Sequence, residues 1–418
     1  MARAQPTVGG WAWVTGRSLA RAVVAAAVDG AVGHRRAGYF AAGMAGKSRM
    51  RVLGFMTGTS LDAVDMAVLE TDGEDIIGLG PAGEKKLDPA ARGLLEAAIA
   101  DALRLKAGDP TPASFAPAAA AVAAEHIAAG EAFMRENAIF PGDLDLIGLQ
   151  GQTVLHAPPG PDRPAGRTIQ LIDAGAVAAA LGAPTVYDLR SDDVAAGGQG
   201  APLAPVYHAA LVRYSGLHTP TAVLNLGGVA NLTLVKASGD LEAFDTGPAN
   251  GMIDLLVQAR TDRRFDQGGA LAKAGQVHDR ALTGYLNHPY FQIRGPKSLD
   301  RFDFSLDRVG PLSLEDAAAT LTAFAAETVA RGVKSCSEIP LRLVVTGGGR
   351  HNPALMDEIR RRVPLVVLTA EDVNWRGDSI EAEAFAFLGA RAYLGLPISF
   401  PGTTGAPEPM TGGRIAMP

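Results

Sequence analysis

The chain has 418 residues, 47% of them hydrophobic and 20% charged, enough to bury a large core and to divide into two domains. A net charge of -6 excludes nucleic acid or an anionic membrane as a bulk electrostatic partner, while leaving room for a local phosphate pocket. The single cysteine, Cys336, excludes disulfides and cysteine-based metal sites and points to a reducing compartment, and no apolar run is long enough to span a bilayer.

Residues 1–49 are a leader of different composition, in which Arg3, Arg17, Arg21, Arg35, Arg36, Lys47 and Arg49 face one acid, Asp29. Its apolar run is short for a signal peptide, and the first core strand begins at Met50, so the leader is expected to contribute neither core nor catalysis. Residues 52–56 and 64–69 are β-favouring runs joined by a small, hydroxylated turn, which predicts a hairpin with Gly58, Thr59 and Ser60 at its tip. Alanine-rich segments at 89–105 and 115–137 predict helices, with strands at 144–149, 168–172 and 184–187 and a further helix at 174–181. Strands alternating with helices imply an α/β fold with a largely parallel sheet. At 221–235 the opening pattern recurs as strand, Gly227-Gly228 turn and a second strand from Asn231. Helices at 249–260, 270–286, 314–333 and 353–363 follow, with strands at 341–346 and 365–368, and 379–394 closes the fold. Two halves that each open on a glycine-rich hairpin predict similar lobes, 50–205 and 206–418, facing each other across a central cleft.

The stretch 186–208, VYDLRSDDVAAGGQGAPLAPVYH, has neither helical nor strand periodicity. Asp188 and Arg190 stand just past a buried strand, at the carboxyl end where open α/β sheets hold ligands, and Gly197, Gly198 and Gly200 allow close backbone approach. Asp188 is the candidate general base, able to orient water and accept its proton, with Arg190 holding anionic groups. The competing readings are a turn cap for Asp188 and a plain surface loop for the stretch. The two hairpin tips, Gly58-Thr59-Ser60 and Gly227-Gly228 with Asn231, suit a phosphate clamp, because backbone N–H groups and hydroxyls reach a polyphosphate where Cβ atoms would obstruct them. Gly347-Gly348-Gly349, between a strand and the helix begun by Pro353, suits a nucleoside and phosphate edge. Each turn taken alone is also ordinary turn chemistry. Asp62, Asp65, Asp188, Asp192, Asp193, Asp245 and Asp266 sit at or beside predicted turns, where they could hold hydrated Mg²⁺ or accept a proton, and Asp245 is equally an N-cap for the helix after it. His156, His208 and His351 lack metal-ligand spacing, and Gln152, Thr153 and His156 bind a sugar or hold a loop.

In order along the chain, GTSLDAVD (58–65), GQTVLH (151–156), DLRSDDVAAGGQGAPL (188–203), NLGGVANLT (225–233) and FDTGPAN (244–250) resemble the anhydro-N-acetylmuramic acid kinases. So do DQGGALAKAG (266–275), PKSLDR (296–301) and GGGRHNPAL (347–355), and the resemblance covers 50–418. It implies a two-lobed actin-like or hexokinase-like ATPase fold with duplicated domains around a central cleft. It also implies ATP- and Mg²⁺-dependent conversion of 1,6-anhydro-N-acetylmuramic acid, with water, to N-acetylmuramic acid 6-phosphate, by a cytoplasmic homodimer that recycles peptidoglycan. Residue by residue, it implies ATP on Gly58, Thr59, Ser60, Leu61, Asp62, Ala63, Val64 and Asp65, on Gly227, Gly228 and Asn231, and on Gly347, Gly348, Gly349 and Asn352. The sugar falls to Gln152, Thr153, His156, Asp245 and Gly247, the metal to Asp62, and catalysis to Asp188 with Arg190. Three positions depart from the family pattern: Ala63 where glycine is usual, and Gln150 and Ile172, where histidine and glycine are usual, beside the sugar pocket. The alternatives are a kinase for another sugar on the same scaffold and a non-catalytic actin-like nucleotide switch, which would have no use for the Asp188 loop.

Overall fold

The computed structural model describes residues 49–58, 61–106, 109–160, 163, 165–299 and 303–418. The leader up to residue 48, the tip residues Thr59 and Ser60, and Asp300 and Arg301 lie outside the described residues.

β1 (Met50–Thr57) is buried along most of its length, as a central strand covered on both faces must be. It pairs antiparallel with β2 (Ala63–Thr71), which pairs antiparallel with β3 (Ile76–Lys86). On its other edge β1 takes β4 (Leu146–Leu149) in parallel. Helices α1 (Pro89–Ala102), capped by the Asp88 carboxylate, and α2 (Phe115–Glu136) form the crossover, and together with α3 (Ala174–Leu181) they bury one face of the sheet. A separate ribbon, β5 (Gln152–Ala157) with β6 (Arg167–Leu171), stands beside it, and β7 (Thr185–Tyr187) runs parallel to β4. α4 (Ser191–Ala195) and α5 (Pro205–Tyr214) then lead to the second half.

There the pattern repeats. β8 (Thr221–Leu226), β9 (Val229–Val235) and β10 (Leu241–Pro248) form an antiparallel meander, while β11 (Arg342–Thr346) joins the free edge of β8 in parallel and is followed by β12 (Val366–Thr369). Two strands of an antiparallel meander on one side of the first strand and parallel strands on the other, twice over, make the duplicated actin-like and hexokinase-like ATPase fold. The sheets are mixed rather than largely parallel, because both opening hairpins continue into a third strand. Its pattern was hidden in β3 by Gly78, Gly80 and Gly83, and in β10 by the Thr246-Gly247-Pro248 ending. α6 (Asn250–Arg260) precedes two short helices, α7 (Ala270–Ala274) and α8 (Asp279–Leu286), where one was predicted. The break falls at Gly275, where a Cβ would lie 2.0 Å from the Glu315 carbonyl oxygen at the start of α9 (Leu314–Ser335). α10 (Pro353–Arg362) completes the crossover between β11 and β12.

α11 (Ile380–Tyr393) follows the second sheet in sequence yet packs on the first. A Cβ at Gly54 of β1 would lie 1.9 Å from the Ala382 carbonyl oxygen, and one at Gly148 of β4 would lie 2.2 Å from that of Phe385. The helix backbone therefore rests directly on the strands, and only glycine permits the approach. α12 (Pro401–Thr404) follows, and β13 (Arg414–Ala416) adds antiparallel to β7. The assignment of all of 206–418 to the second lobe is corrected accordingly, since α11 and β13 belong with the first sheet. A buried cluster runs from Val52 and Leu146 of the first sheet through Tyr207 and Phe387 to Val223 and Val344 of the second, so the lobes share a core at their base.

Candidate functional site

β7 delivers Asp188 at its carboxyl end with φ 53, a left-handed conformation that is uncommon outside glycine and is found where surrounding structure holds a functional group in place. Ser191 Oγ donates to Asp188 Oδ1 at 2.5 Å, and burial pushes the carboxyl pKa up, opposed by that hydrogen bond and by Arg414. The neighbouring acids are committed elsewhere. Asp192 binds Arg414 through both oxygens, at 2.8 and 2.9 Å. Asp193, buried, accepts from Gly200 N at 2.6 Å, Ser399 Oγ at 2.5 Å and Thr404 Oγ1 at 2.6 Å, and so ties the glycine loop to the C-terminal segment. Arg190 donates to the Gly200 carbonyl at 2.8 Å and to Gln150 Oε1 at 2.9 Å, and burial lowers its pKa only to about 10, leaving it cationic.

The β5–β6 ribbon meets this loop. A Cβ at Gly200 would sit 3.2 Å from His156 Cε1, so the imidazole lies against the glycine turn. Burial, reinforced by the Arg190 charge, lowers the His156 pKa to about 4, which makes the ring neutral. His156 Nδ1 pairs with Thr168 Oγ1 at 3.1 Å, whereas Nε2 has no protein partner. Gln152 Oε1 and Gln170 Oε1 are likewise buried and unpaired. Unsatisfied buried polar atoms cost about 1–3 kcal/mol each, and three on one small ribbon mark a surface made for a polar ligand. Gln170, whose amide donates to Thr168 Oγ1 at 2.7 Å and to Thr153 Oγ1 at 3.4 Å, is a candidate that sequence reasoning missed. Gln150, the departure from the family's histidine, supplies the Arg190 acceptor, and Ile172 is buried against Gly151.

Of the first hairpin tip, Gly58 accepts from Leu61 N at 3.2 Å, and Leu61 itself is buried in the core. Asp62 is exposed and paired with Arg264 of the second lobe at 2.6 Å and with Arg92 at 3.6 Å. Ala63, Val64 and Asp65 belong to β2, with Val64 buried. Partial burial and the carboxylates of Glu381, Glu84 and Asp378 push the Asp65 pKa up to about 7. Glu381, which stands at the head of α11 and accepts from Asn225 Nδ2 at 3.4 Å, had no distinguishing signal in an alanine-rich helix.

In the second lobe the carbonyls of Gly227 and Gly228 accept from the N–H groups of Asn250, Ala249 and Gly251, which fixes the tip on the start of α6. Gly228 is exposed, and an added Cβ would meet nothing nearer than 3.8 Å. Asn231 lies within β9, opposite Asn225 and Asp245, not on the tip. Thr346 pairs with Asn225, so the Gly347–Gly349 turn emerges beside the Gly227-Gly228 tip at the carboxyl ends of the central strands β8 and β11. Gly347 and Gly349 are closely packed, at 2.2 Å from Asn225 Oδ1 and 2.6 Å from Asn250 Nδ2 for an added Cβ, while Gly348 faces open space. Asn352 caps α10, its side-chain oxygen accepting from Leu355 N at 3.3 Å. Asp245 lies in β10 and caps nothing, which corrects the N-cap reading, since α6 has Ala249 at its N-cap. Its carboxylate accepts from Leu299 N at 2.8 Å, and burial pushes its pKa up to about 7 against that bond and Lys297. Gly247 is buried against α9, where an added Cβ would lie 2.7 Å from Thr328. Ser298 Oγ donates to Gln199 Oε1 at 2.9 Å, linking the Asp245 segment to the Asp188 loop. Among the described residues no group of three or more His, Cys, Asp or Glu could hold a metal alone, and no helix is long and apolar enough to cross a membrane.

The family model described as anhydro-N-acetylmuramic acid kinase matches residues 50–418. The protein of that name from Phenylobacterium zucineum is 60% identical over 369 residues, covering 88% of this chain and 100% of its own. Its counterpart from Caulobacter vibrioides is 58% identical over 366 residues, covering 88% and 98%. Among solved structures, a ROK family glucokinase from Streptomyces griseus is 16% identical, with a TM-score of 0.37 over 82% of this chain and 99% of its own. The chain belongs to the anhydro-N-acetylmuramic acid kinase family.

Proposed function

We propose that the chain uses ATP to convert 1,6-anhydro-N-acetylmuramic acid and water to N-acetylmuramic acid 6-phosphate and ADP, as a cytoplasmic homodimer that recycles peptidoglycan. The observation that carries this reading is the meeting of a partly buried Asp188, a cationic Arg190 and the unpaired polar atoms of Gln152, His156 and Gln170 around one glycine loop. A neutral imidazole and two amides suit the hydroxyl and amide groups of an uncharged sugar ring, and Arg190 suits a carboxylate or phosphate. Asp188 takes a proton from water, whose oxygen bonds to the anomeric carbon. The bond from that carbon to O6 breaks with its electron pair left on O6, and O6 then bonds to the γ-phosphorus of ATP as ADP leaves. Burial raises the Asp188 pKa and so makes it a stronger base, a shift that Ser191 and Arg414 oppose. The open turns at Gly228 and Gly348 are where phosphate oxygens reach backbone N–H groups. Asp65, whose carboxyl feels the charges of Glu381, Glu84 and Asp378, would hold Mg²⁺ together with phosphate oxygens, and the ion would neutralise phosphate charge there; Asp62 is already engaged by Arg264 and Arg92.

The test is ATP turnover dependent on the anhydro sugar, in the native chain and in Asp188→Asn. The variant keeps size and hydrogen bonding but cannot take the proton, so turnover is expected to fall by about 10² or more with binding of ATP analogue and sugar retained. Near-normal product formation by a folded Asp188→Asn protein would remove Asp188 from the base role.

A further inference from the structure

A cavity of about 500 Å³ lies apart from the site above, between β10, the second half of α9 and the segment 291–297. Glu242, Phe244 and Thr246 alternate along β10 and line it, so it lies behind the strand whose other face carries Asp245. Its wall is apolar at Phe244 and Phe291, and its rim carries four cations, Arg294, Lys297, Arg331 and Lys334, against one acid, Glu242.

That acid is already engaged, accepting from Ser337 N at 3.2 Å and from Ser337 Oγ and lying 3.6 Å from Lys236. Arg331 pairs with Glu327 at 3.3 Å. Among the described residues, Arg294 and Lys334 stand in no salt bridge. The Lys297 ammonium donates to the Tyr290 and Ile293 carbonyls at 3.3 and 3.1 Å and lies 4.3 Å from the Tyr290 ring centre, all neutral groups. Partial burial lowers its pKa despite the nearby Asp245. A concave apolar wall under an excess of cations has the makings of a site for an anion with a hydrophobic body.

We propose that this cavity binds a small anion, a phosphate or carboxylate at the Arg294–Lys297–Lys334 rim, whose apolar or aromatic part packs on Phe244 and Phe291. No step of phosphoryl transfer uses it, so the proposal stands apart from the kinase reading. Occupancy has a route to the cleft: the Lys297 carbonyl accepts from Asp245 N at 2.9 Å, and the next residue, Ser298, binds Gln199 of the first lobe.

The probe is phenyl phosphate, titrated calorimetrically into the full chain held at a saturating concentration of a non-hydrolysable ATP analogue, so that the phosphate turns of the cleft are filled. Saturable binding of one equivalent is expected, weakened about tenfold or more in Arg294→Ala/Lys334→Ala, whose side chains are exposed and whose unfolding midpoint should be unchanged. Absence of saturable binding, or equal affinity in the double variant, would overturn the site. Inorganic phosphate binding as tightly as phenyl phosphate would overturn the role given to the two rings.

Discussion

The seam between α11 and the first sheet and the turns at the carboxyl ends of the second sheet's central strands both depend on glycine, for opposite reasons. At Gly54 and Gly148 the missing side chain is replaced by helix backbone within 2.2 Å of where a Cβ would stand; at Gly228 and Gly348 nothing approaches closer than 3.8 Å. The first pair serves packing, because protein fills the space. The second pair leaves open space at the carboxyl ends of β8 and β11, where α/β folds bind ligands. What a glycine is for is thus read from its neighbours and not from its own conformation.

The largest effect expected from breaking this contrast is at the seam. Gly148→Ala forces a methyl group into the Phe385 carbonyl, and since neither strand nor helix can retreat without opening the core, a loss of about 3 kcal/mol or more is expected in urea unfolding. A change within about 0.5 kcal/mol would mean that the seam is looser than its geometry. Gly228→Val should do the reverse: unfolding stays close to that of the native chain, while calorimetric affinity for an ATP analogue falls about tenfold. Unchanged affinity would take this turn out of the nucleotide site.

The smallest effect sharpens the comparison where the regions meet, at Asp65, which faces Glu381 at the head of the seam helix. Burial holds His126, His156 and His208 near pKa 4 instead of 6.5, so on acidification from about 6.5 to about 4 the unfolded chain takes up protons that the folded chain refuses, and stability falls. Asp65 and Asp245, raised from 3.8 to about 7, act in the opposite sense: the folded chain gains their protons first, and stability rises as the pH falls from about 7 to about 4. In Asp65→Asn one of the compensating carboxyls, which also include Asp254 raised to about 6, is gone, and the urea midpoint should fall more steeply with acid than in the native chain. An identical pH profile would show that Asp65 titrates alike in the folded and unfolded chains.

Sequence carried the parts of this molecule whose signals are local. The β1–β2 and β8–β9 hairpins, Asp188 at the end of β7, and the glycine turn after β11 all stand where residue type and spacing predicted them. β3 and β10 were missed because glycine and proline interrupt their alternation, and with β10 went the true setting of Asp245, which beside Thr246-Gly247-Pro248 looks like a cap. Gln170 and Glu381 were invisible for another reason: an amide in a strand and an acid on an alanine-rich helix acquire meaning only from what the fold sets against them. The seam glycines belong to that class too, since nothing around Gly54 or Gly148 announces a helix from the far end of the chain.

That returning helix has a mechanical consequence. The polypeptide leaves the first sheet after β7 and comes back to it at α11, so two covalent tethers join the lobes. A body held by one tether can slide, twist and swing; held by two, it keeps chiefly the swing about the line through both. The buried cluster around Tyr207 and Phe387 lies at the joint and serves as its bearing. A ligand that touches both arms can therefore spend its binding energy along one coordinate.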